Sequence, residues 1–249
     1  MQSSNAFLST CLLFVLFASP ADAGGVATPV AGLDAEERRV WSRQLGSAAA
    51  DVATGAATDD TGSIVVAGAT EGGLNGASQG ESDAFLAKLA SDGKTLWVRQ
   101  FGSSSRDAAS STAVDRDGYI VVAGLTFGDL GGENAGEYDA FVAKFDRNGD
   151  HRWTRQLGTA SGDQAGSVGT DAQGNVYIAG DTFGGLNGAS AGLADAYLAK
   201  YDPRGDLLWI RQLGSAAGDV ITGIAIDQAG HVYASGQTDG DVGGTNAGP

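Results

Sequence analysis

The sequence predicts an all-β fold built from repeated four-stranded antiparallel sheets. Three observations support this: a period of 56 residues, short strand-like segments within each period, and glycine at the turns between them. The period is plainest at four tryptophans, each opening a Trp-x-Arg-Gln-[Leu/Phe]-Gly phrase: Trp41, Trp97, Trp153 and Trp209. A unit of this size cannot bury a core alone, so neighbouring copies must pack together.

The composition excludes several other classes. Forty glycines argue against a helical bundle, no glycine triplet period indicates collagen, and 42% apolar residues suffice for a core. The formal net charge of −15 repels phosphate backbones, so nucleic acid is not an expected partner. We interpret the acidic balance mainly as a means of keeping the protein soluble.

Residues 1–23 are predicted to be a secretory signal peptide. An apolar run from Ala6 to Ala18 is followed by a small-x-small cleavage pattern that ends at Ala23. The run is shorter than the roughly 20 residues of a membrane span, although a retained anchor stays open because no Lys or Arg precedes it. The single cysteine, Cys11, lies in this run, so the mature chain has no thiol for catalysis or metal binding. We therefore expect a secreted, extracellular protein without a membrane span after cleavage, with the periplasm or cell surface as alternatives.

Each copy contains four segments with strand character. In the second copy these are expected at residues 83–89, 95–101, 108–114 and 119–125. Glycine recurs at the tight turns because it supplies positive φ; the turns are at Asp92-Gly93, Asp117-Gly118, Asn148-Gly149, Gln173-Gly174, Arg204-Gly205 and Ala229-Gly230. A 13-residue segment, residues 70–82, is expected to be an ordered loop that joins one copy to the next.

The tryptophan strand carries bulky residues on both faces. Trp97 and Phe101 share one face, whereas Val98 and Gln100 lie on the other. A sheet of this kind is covered on both sides by other sheets. The pattern therefore predicts a β-propeller of four-stranded blades.

About four copies are present. Residues 27–34 align with residues 139–146 and are interpreted as a degenerate first strand. The repeats are therefore expected at 27–82, 83–138, 139–194 and 195–249, within one domain spanning 24–249. We see no closure device in which a terminal strand completes the blade of the other terminus. Three arrangements stay open: a closed four-bladed ring, a partial ring completed by self-association, and a portion of a longer array.

The repeated phrases resemble a known family. The phrase at 195–200, Asp-Ala-Tyr-Leu-Ala-Lys, the hairpin at 174–182, Gly-Asn-Val-Tyr-Ile-Ala-Gly-Asp-Thr, and the tryptophan phrase together resemble the SBBP β-propeller repeat of secreted and surface proteins of bacteria. The resemblance covers about residues 41–249 and implies a propeller named for seven blades, of which this chain carries four. It implies no shared catalytic residues.

Charged residues that recur in every copy are interpreted as structural. The arginines stand eight positions before aspartates, and an ion pair or a contact of the aspartate with turn amides is expected; the residues are Arg43, Arg99, Arg155 and Arg211 with Asp51, Asp107, Asp163 and Asp219. The same interpretation applies to Lys88, Lys144 and Lys200 with Asp83, Asp139 and Asp195.

Metal and catalytic motifs are weak. Asp146, Asn148 and Asp150 alternate like the opening of a calcium loop, but their counterparts in other copies lose ligands, so a turn is favoured and no cofactor is expected. The two histidines, His151 and His231, occupy different repeat positions and match no catalytic motif. Positions that differ between copies are better candidates for a special role: Glu71, Phe127, Phe183 and Asp239.

The sequence thus favours a secreted, non-enzymatic β-propeller that acts as a scaffold or binding module. Its loops would present an acidic, glycine-rich rim to protein, glycan or cell-surface partners, and no catalytic, metal or cofactor residue is assigned. The alternatives are a secreted carboxylate-dependent hydrolase or lyase and a truncated portion of a longer array.

Overall fold

The computed structural model of the protein describes residues 39–242 and the backbone of two earlier strands. These are β1 at Phe14–Val15 and β2 at Thr28–Leu33. The predicted signal peptide otherwise lies outside the described residues, as do residues 243–249. Among residues 39–242 no helix long and apolar enough to cross a membrane is found.

The described residues form antiparallel sheets whose strands follow one another along the chain. Sheet I contains β4 to β7 at Asp51–Thr58, Ile64–Thr70, Asp83–Leu89 and Thr95–Phe101. Sheet II contains β8 to β11 at Asp107–Val114, Ile120–Thr126, Asp139–Phe145 and His151–Leu157. Sheet III contains β12 to β15 at Asp163–Thr170, Val176–Thr182, Asp195–Tyr201 and Leu207–Leu213.

Two pairs of strands flank these sheets. The leading pair joins β2 to β3 at Arg39–Leu45, with β1 on the other edge of β2. The trailing pair joins β16 at Asp219–Ile226 to β17 at Val232–Thr238. The all-β class and the four-stranded sheets are as predicted, and the predicted strands of the second copy agree to within one residue.

The turns are also as the sequence predicts. Glycine has positive φ at all six predicted turn positions: Gly93, Gly118, Gly149, Gly174, Gly205 and Gly230, with φ between 78° and 87°. Ordinary residues rarely adopt this backbone conformation, which explains why glycine recurs there.

The composition of each sheet corrects the predicted meander. Each predicted repeat begins with its Asp-Ala-[Phe/Tyr] strand, whereas that strand is the third of an observed sheet. The chain passes to the next sheet just after the tryptophan strand, through short turns such as residues 102–106. The 13-residue loop instead joins two paired strands of one sheet, where Thr70 lies opposite Asp83. Loop length misled the prediction because closing a longer hairpin loop adds little entropic cost. The 56-residue period itself is unchanged.

The first strands of successive sheets lie side by side, as expected along the axis of a propeller. The hydroxyl of Thr54 in β4 donates to the carbonyl of Ala109 in β8 at 2.7 Å. The next two junctions repeat this contact between strands: Val168 N donates to Ser111 Oγ at 3.3 Å, and Ile224 N donates to Ser167 Oγ at 3.2 Å. The sheets therefore stack face to face in chain order.

The core lies between the sheets and is built from their second and third strands. Both strands are buried along their whole length in sheet II apart from Leu125. Phe141 fills the space between sheets I and II, and Tyr197 fills the space between sheets II and III. In the part of the chain that is described, the leading and trailing pairs do not join, so the sheets form an open stack and not a closed ring.

Candidate functional site

In the leading pair and in sheets I and II, the tryptophan strand is bonded to the sheet that follows. The indole nitrogen of Trp153 donates to the carbonyl of Pro203, 50 residues ahead, at 3.1 Å. A Cβ on Gly205 would lie only 2.8 Å from the indole ring, so glycine permits this close approach. Trp41 and Trp97 make the equivalent contacts with Ser91 and Arg147. Trp41, Trp97 and Trp153 are thus packing residues between successive sheets.

The recurrent arginine bonds to the same turn. Arg155 Nε donates to Gly205 O at 2.8 Å, and its guanidinium carbon lies 5.7 Å from the ring centroid of Trp153. Arg99 repeats this with Gly149 O at 2.9 Å. For Arg99 and Arg155 the expected partner is therefore wrong: they cross to the next sheet and do not pair with the aspartate eight positions on.

Those aspartates bind turn amides, which was the other expected role. Asp107 Oδ2 accepts from Ser103 N at 2.6 Å, and Asp163 Oδ2 accepts from Thr159 N at 2.6 Å. Asp51 and Asp219 do the same. Each carboxylate thus braces the short turn by which the chain crosses between sheets.

The recurrent lysines also have partners other than those expected. Lys88 Nζ lies 2.8 Å from Asp59 Oδ2, and Lys144 Nζ lies 3.1 Å from Asp115 Oδ2. Lys200 is 3.5 Å from Asp171. The carboxylates belong to the turns between first and second strands, because the third strand runs alongside the second and its lysine reaches that turn. Asp83, Asp139 and Asp195 instead accept bonds from Gln100, Gln156 and Gln212.

Two of these ion pairs lie in equivalent clefts between adjacent sheets. The first cleft, between sheets I and II, has a volume of about 320 Å³, and the second, between sheets II and III, about 270 Å³. Each is lined by a buried Lys–Asp pair and by a tryptophan, Trp97 or Trp153. Exposed polar groups complete the lining of the first cleft: Asp60, Thr61, Arg147 and Asn148.

The carboxylate of the ion pair in the first cleft stays ionised down to low pH. Desolvation by burial raises the pKa of Asp59, but hydrogen bonds from Lys88, Thr61 and Ser63 outweigh it and hold the pKa at about 2. The cleft thus offers a fixed cation, a fixed carboxylate, hydroxyl and amide groups, and an aromatic surface. This chemistry suits a polar, hydroxylated ligand of low net charge.

In the segment that resembles a calcium loop, the carboxylate oxygens of Asp146 accept hydrogen bonds within the turn and from Arg152. Asp146 Oδ1 accepts from Asn148 N at 2.8 Å and from Asp150 N at 2.9 Å, and its Oδ2 pairs with Arg152 at 2.7 Å. Within the described residues, no group of three or more His, Cys, Asp or Glu side chains is placed to hold a metal ion.

The histidines make local contacts. His151 Nε2 bonds to Thr154 Oγ1 at 2.8 Å, and His231 Nδ1 bonds to Asp227 Oδ2 at 2.8 Å. Asp227 is the counterpart of Asp59, so His231 takes the place that lysine has in sheets I to III.

The four variable positions share one backbone contact. The amides of Glu71, Phe127, Phe183 and Asp239 donate to the carbonyls of Ala50, Arg106, Gly162 and Gly218. Their side chains are exposed at the loop end of the sheets, opposite to the clefts. Phe127 lies 5.3 Å from the ring of Tyr138.

One buried carboxylate was missed by the sequence analysis. Asp181, in β13, is 4% exposed and accepts a bond from Gln164 Nε2 at 2.8 Å. Burial raises the pKa of Asp181, and the neighbouring Asp163 adds to this. The sequence does mark this residue, because the other copies have an uncharged residue at the same repeat position: Ala69, Leu125 and Gln237.

Comparison with known proteins identifies the repeat. Residues 152–187 and 208–244 match the SBBP family, described as a β-propeller repeat. These two segments are similar to the SBBP β-propeller repeat. Each matched SBBP repeat starts near a tryptophan strand and continues into the next sheet, so the family unit, like the 56-residue period, spans two sheets.

Two curated relatives are similar to part of this chain. The regulatory protein FlaEY of Caulobacter vibrioides is 29% identical over 166 residues, which cover 60% of this chain and 17% of the relative. An uncharacterized WD repeat-containing protein of Acanthamoeba polyphaga mimivirus is 25% identical over 203 residues, 69% of this chain and 14% of the relative. The chain thus spans less than a fifth of the length of either relative.

Solved structures resemble this chain at low identity. A gluconolactonase from Xanthomonas campestris aligns with a TM-score of 0.47 and 15% identity, covering 93% of this chain and 75% of that one. The Pan2 WD40 domain of Neurospora crassa aligns with a TM-score of 0.47 and 15% identity, covering 89% and 60%.

Proposed function

We propose that the protein is a secreted, non-enzymatic β-propeller scaffold whose inter-sheet clefts bind glycans. The observation that carries this is the recurrence of one cleft at two equivalent positions, each pairing a tryptophan with a buried Lys–Asp pair. A sugar ring presents C–H groups to an aromatic surface and hydroxyls to charged and amide groups. Two like sites on one rigid stack would also favour a repeated ligand through multivalency.

The rim loops supply a second surface for the same scaffold. Glu71, Phe127, Phe183 and Asp239 differ in chemistry on a constant backbone, as expected of positions that set specificity on a shared framework. Protein or cell-surface partners are proposed for this end of the sheets, and acidic charge would favour basic partners.

A glycan array followed by titration calorimetry tests the cleft proposal. The informative variant is Thr61→Ala with Asn148→Ala, because both side chains are exposed at the mouth of the first cleft. The matched control is Gln79→Ala, an exposed amide at the opposite end of the sheets. We expect the double variant to weaken saccharide binding several-fold and the control to leave it unchanged. An array without any bound saccharide, or equal affinity in both variants, would contradict glycan binding in the clefts.

A carboxylate-dependent hydrolase or lyase is the second candidate. The observation in its favour is that Asp181, unique to one copy, lies beside Asp163 and that both pKa values are raised. Turnover of a polysaccharide that disappears in Asp181→Asn would support it. The absence of turnover across a polysaccharide panel, or full activity in Asp181→Asn, would exclude it.

A further inference from the structure

The trailing pair ends in an open strand edge. Apart from its first residue, every residue of β17 is exposed, whereas its counterpart β13 is buried throughout. Tyr233 is 60% exposed, compared with 2% for Tyr177 at the same position of sheet III. The difference arises because β13 pairs with a third strand, β14, and β17 has no such partner among the described residues.

The backbone groups that face this edge follow from the alternation of an antiparallel strand. Asp227 N donates to His231 O and Asp239 N donates to Gly218 O, so the odd-numbered positions face β16. Val232, Ala234, Gly236 and Thr238 therefore present their N–H and C=O groups to the open side. A row of unpaired groups like this is a template for another strand.

The leading pair has the geometry of the missing half. In β2 and β3, Thr28 lies opposite Leu45 and the ladder shifts between Gly32 and Leu33. In β6 and β7 of sheet I, Ala84 lies opposite Phe101 and the shift falls between Lys88 and Leu89. These are the same register and the same bulge, offset by one period. Among the described residues, the leading pair thus corresponds to a third and a fourth strand, and no first and second strand are paired with it.

Beside the open edge lies an empty groove, at the position that corresponds to the side chain of Tyr197 in sheet III. A groove of about 280 Å³ is lined by Leu213, Ile221, Ala234 and Val242. In sheet III the equivalent space is filled by Tyr197, packed against Leu157 and Leu186. By the register of β2, Pro29 is the repeat counterpart of Tyr197. Because proline has no amide to give Gly236 O, the joined ladder has one bond fewer than the others.

The turn aspartate of the trailing pair needs no lysine from the strand that joins it. In sheets I to III the turn aspartate is paired with a lysine of the third strand, as Asp171 is with Lys200. At Asp227 this role belongs to His231. In β2 the lysine position is occupied by Gly32, which needs no such partner. His231 and Gly32, which both depart from the repeat pattern, would therefore lie near the same turn aspartate, Asp227.

We propose that β2 of a second copy of this chain adds to β17, so that the leading pair of one molecule completes the trailing pair of another. A second copy is favoured because, among the described residues, β17 pairs with β16 alone and β2 pairs only with β1 and β3 of its own chain. Two chains joined in both directions contain eight complete sheets, within the range of propeller sizes. The edge of β2 that would dock carries β1, at Phe14–Val15, which lies within the predicted signal peptide. Docking therefore requires that β1 leave this edge.

Disulfide trapping tests the register. By analogy with Ala179 and Leu198, Ser235 would lie opposite Val30 as a non-hydrogen-bonded pair, whose short Cα separation suits a disulfide. Both chains start at Gly24, after the predicted cleavage site, and therefore lack β1 and Cys11. One chain carries Ser235→Cys and the other carries Val30→Cys. The two are mixed and oxidised. The matched control replaces Ser235→Cys by Gln237→Cys, two residues out of register on the same exposed strand.

We expect a covalent heterodimer from the in-register mixture and at least tenfold less from the control. Sedimentation of the unsubstituted chain should show a reversible species of twice the chain mass. A chain carrying both in-register cysteines that cross-links only within itself would show a closed four-bladed ring and overturn the proposal. Equal cross-linking of both mixtures, or none in either, would also overturn it.

Discussion

Replacing Lys88 by methionine should destabilise the protein by about 2–3 kcal/mol at neutral pH. The pKa of Asp59 is about 2, compared with 3.8 for an ordinary aspartate, and this difference corresponds to just over 2 kcal/mol of native-state stabilisation. Lys88 supplies the largest of the lowering contributions. Its loss leaves a buried carboxylate with only Thr61 and Ser63 as donors, and removing one partner of a buried pair costs up to several kcal/mol.

The pH dependence has a definite sign. Because the pKa of Asp59 is lowered on folding, its contribution is fully present above about pH 4 and is lost as the pH falls through 2. In Lys88→Met this acid-dependent loss should be smaller, since the pKa of Asp59 returns towards its ordinary value. Urea unfolding between pH 2 and 7, followed by tryptophan fluorescence and circular dichroism, measures both effects.

Two variants control this experiment. Lys200→Met should cost less than Lys88→Met, because Lys200 lies 3.5 Å from Asp171 and that carboxylate keeps bonds from Tyr177 and Asn175. Adding Asp59→Asn to Lys88→Met should recover part of the loss. Equal losses for the two lysines, or no change in the acid dependence for Lys88→Met, would refute the assignment of Asp59 and Lys88 as a stabilising buried pair.

Two further predictions concern a turn glycine and a buried carboxylate. Gly205→Ala should destabilise more than Gly230→Ala: both positions have positive φ, costing about 1–2 kcal/mol, but a Cβ at Gly205 also meets the ring of Trp153, whereas nothing lies within 4 Å at Gly230. Equal losses in thermal unfolding would show that the tryptophan contact contributes nothing. Asp181→Asn should stabilise the protein at pH 7, because burial and the charge of Asp163 raise the pKa of Asp181 and so oppose its ionised form. The gain should vanish as the pH falls below the ordinary pKa of aspartate, and a loss of stability at pH 7 would contradict it.

The sequence predicted local structure well and partnerships between strands less well. The strands and glycine turns depend on residues within a few positions, such as Asp117 and Gly118, and these are confirmed. The grouping of strands into sheets depends on which long-range pairs form. The 13-residue loop suggested a boundary where Thr70 and Asp83 are in fact paired.

The side-chain partners show the same division. Asp107 contacts an amide four residues away, and this contact was expected. Arg155 bonds to Gly205, 50 residues ahead, and Lys88 bonds to Asp59 across two strands. In a repeat sequence these partners cannot be predicted from spacing, because the copies carry the same arginine, lysine and aspartate at the same spacing. Only the stacking of sheets decides which copy supplies the partner.

The offset between the sequence period and the sheets has a consequence for how such a chain changes length. Every 56-residue period gives two strands to one sheet and two to the next. Duplicating or deleting one period would therefore add or remove four strands, which is one whole sheet. The described part of the chain would still have a leading pair that matches a third and a fourth strand, and a trailing pair that matches a first and a second strand. Recombination can lengthen or shorten the stack in whole units, and the two ends remain complementary at every length.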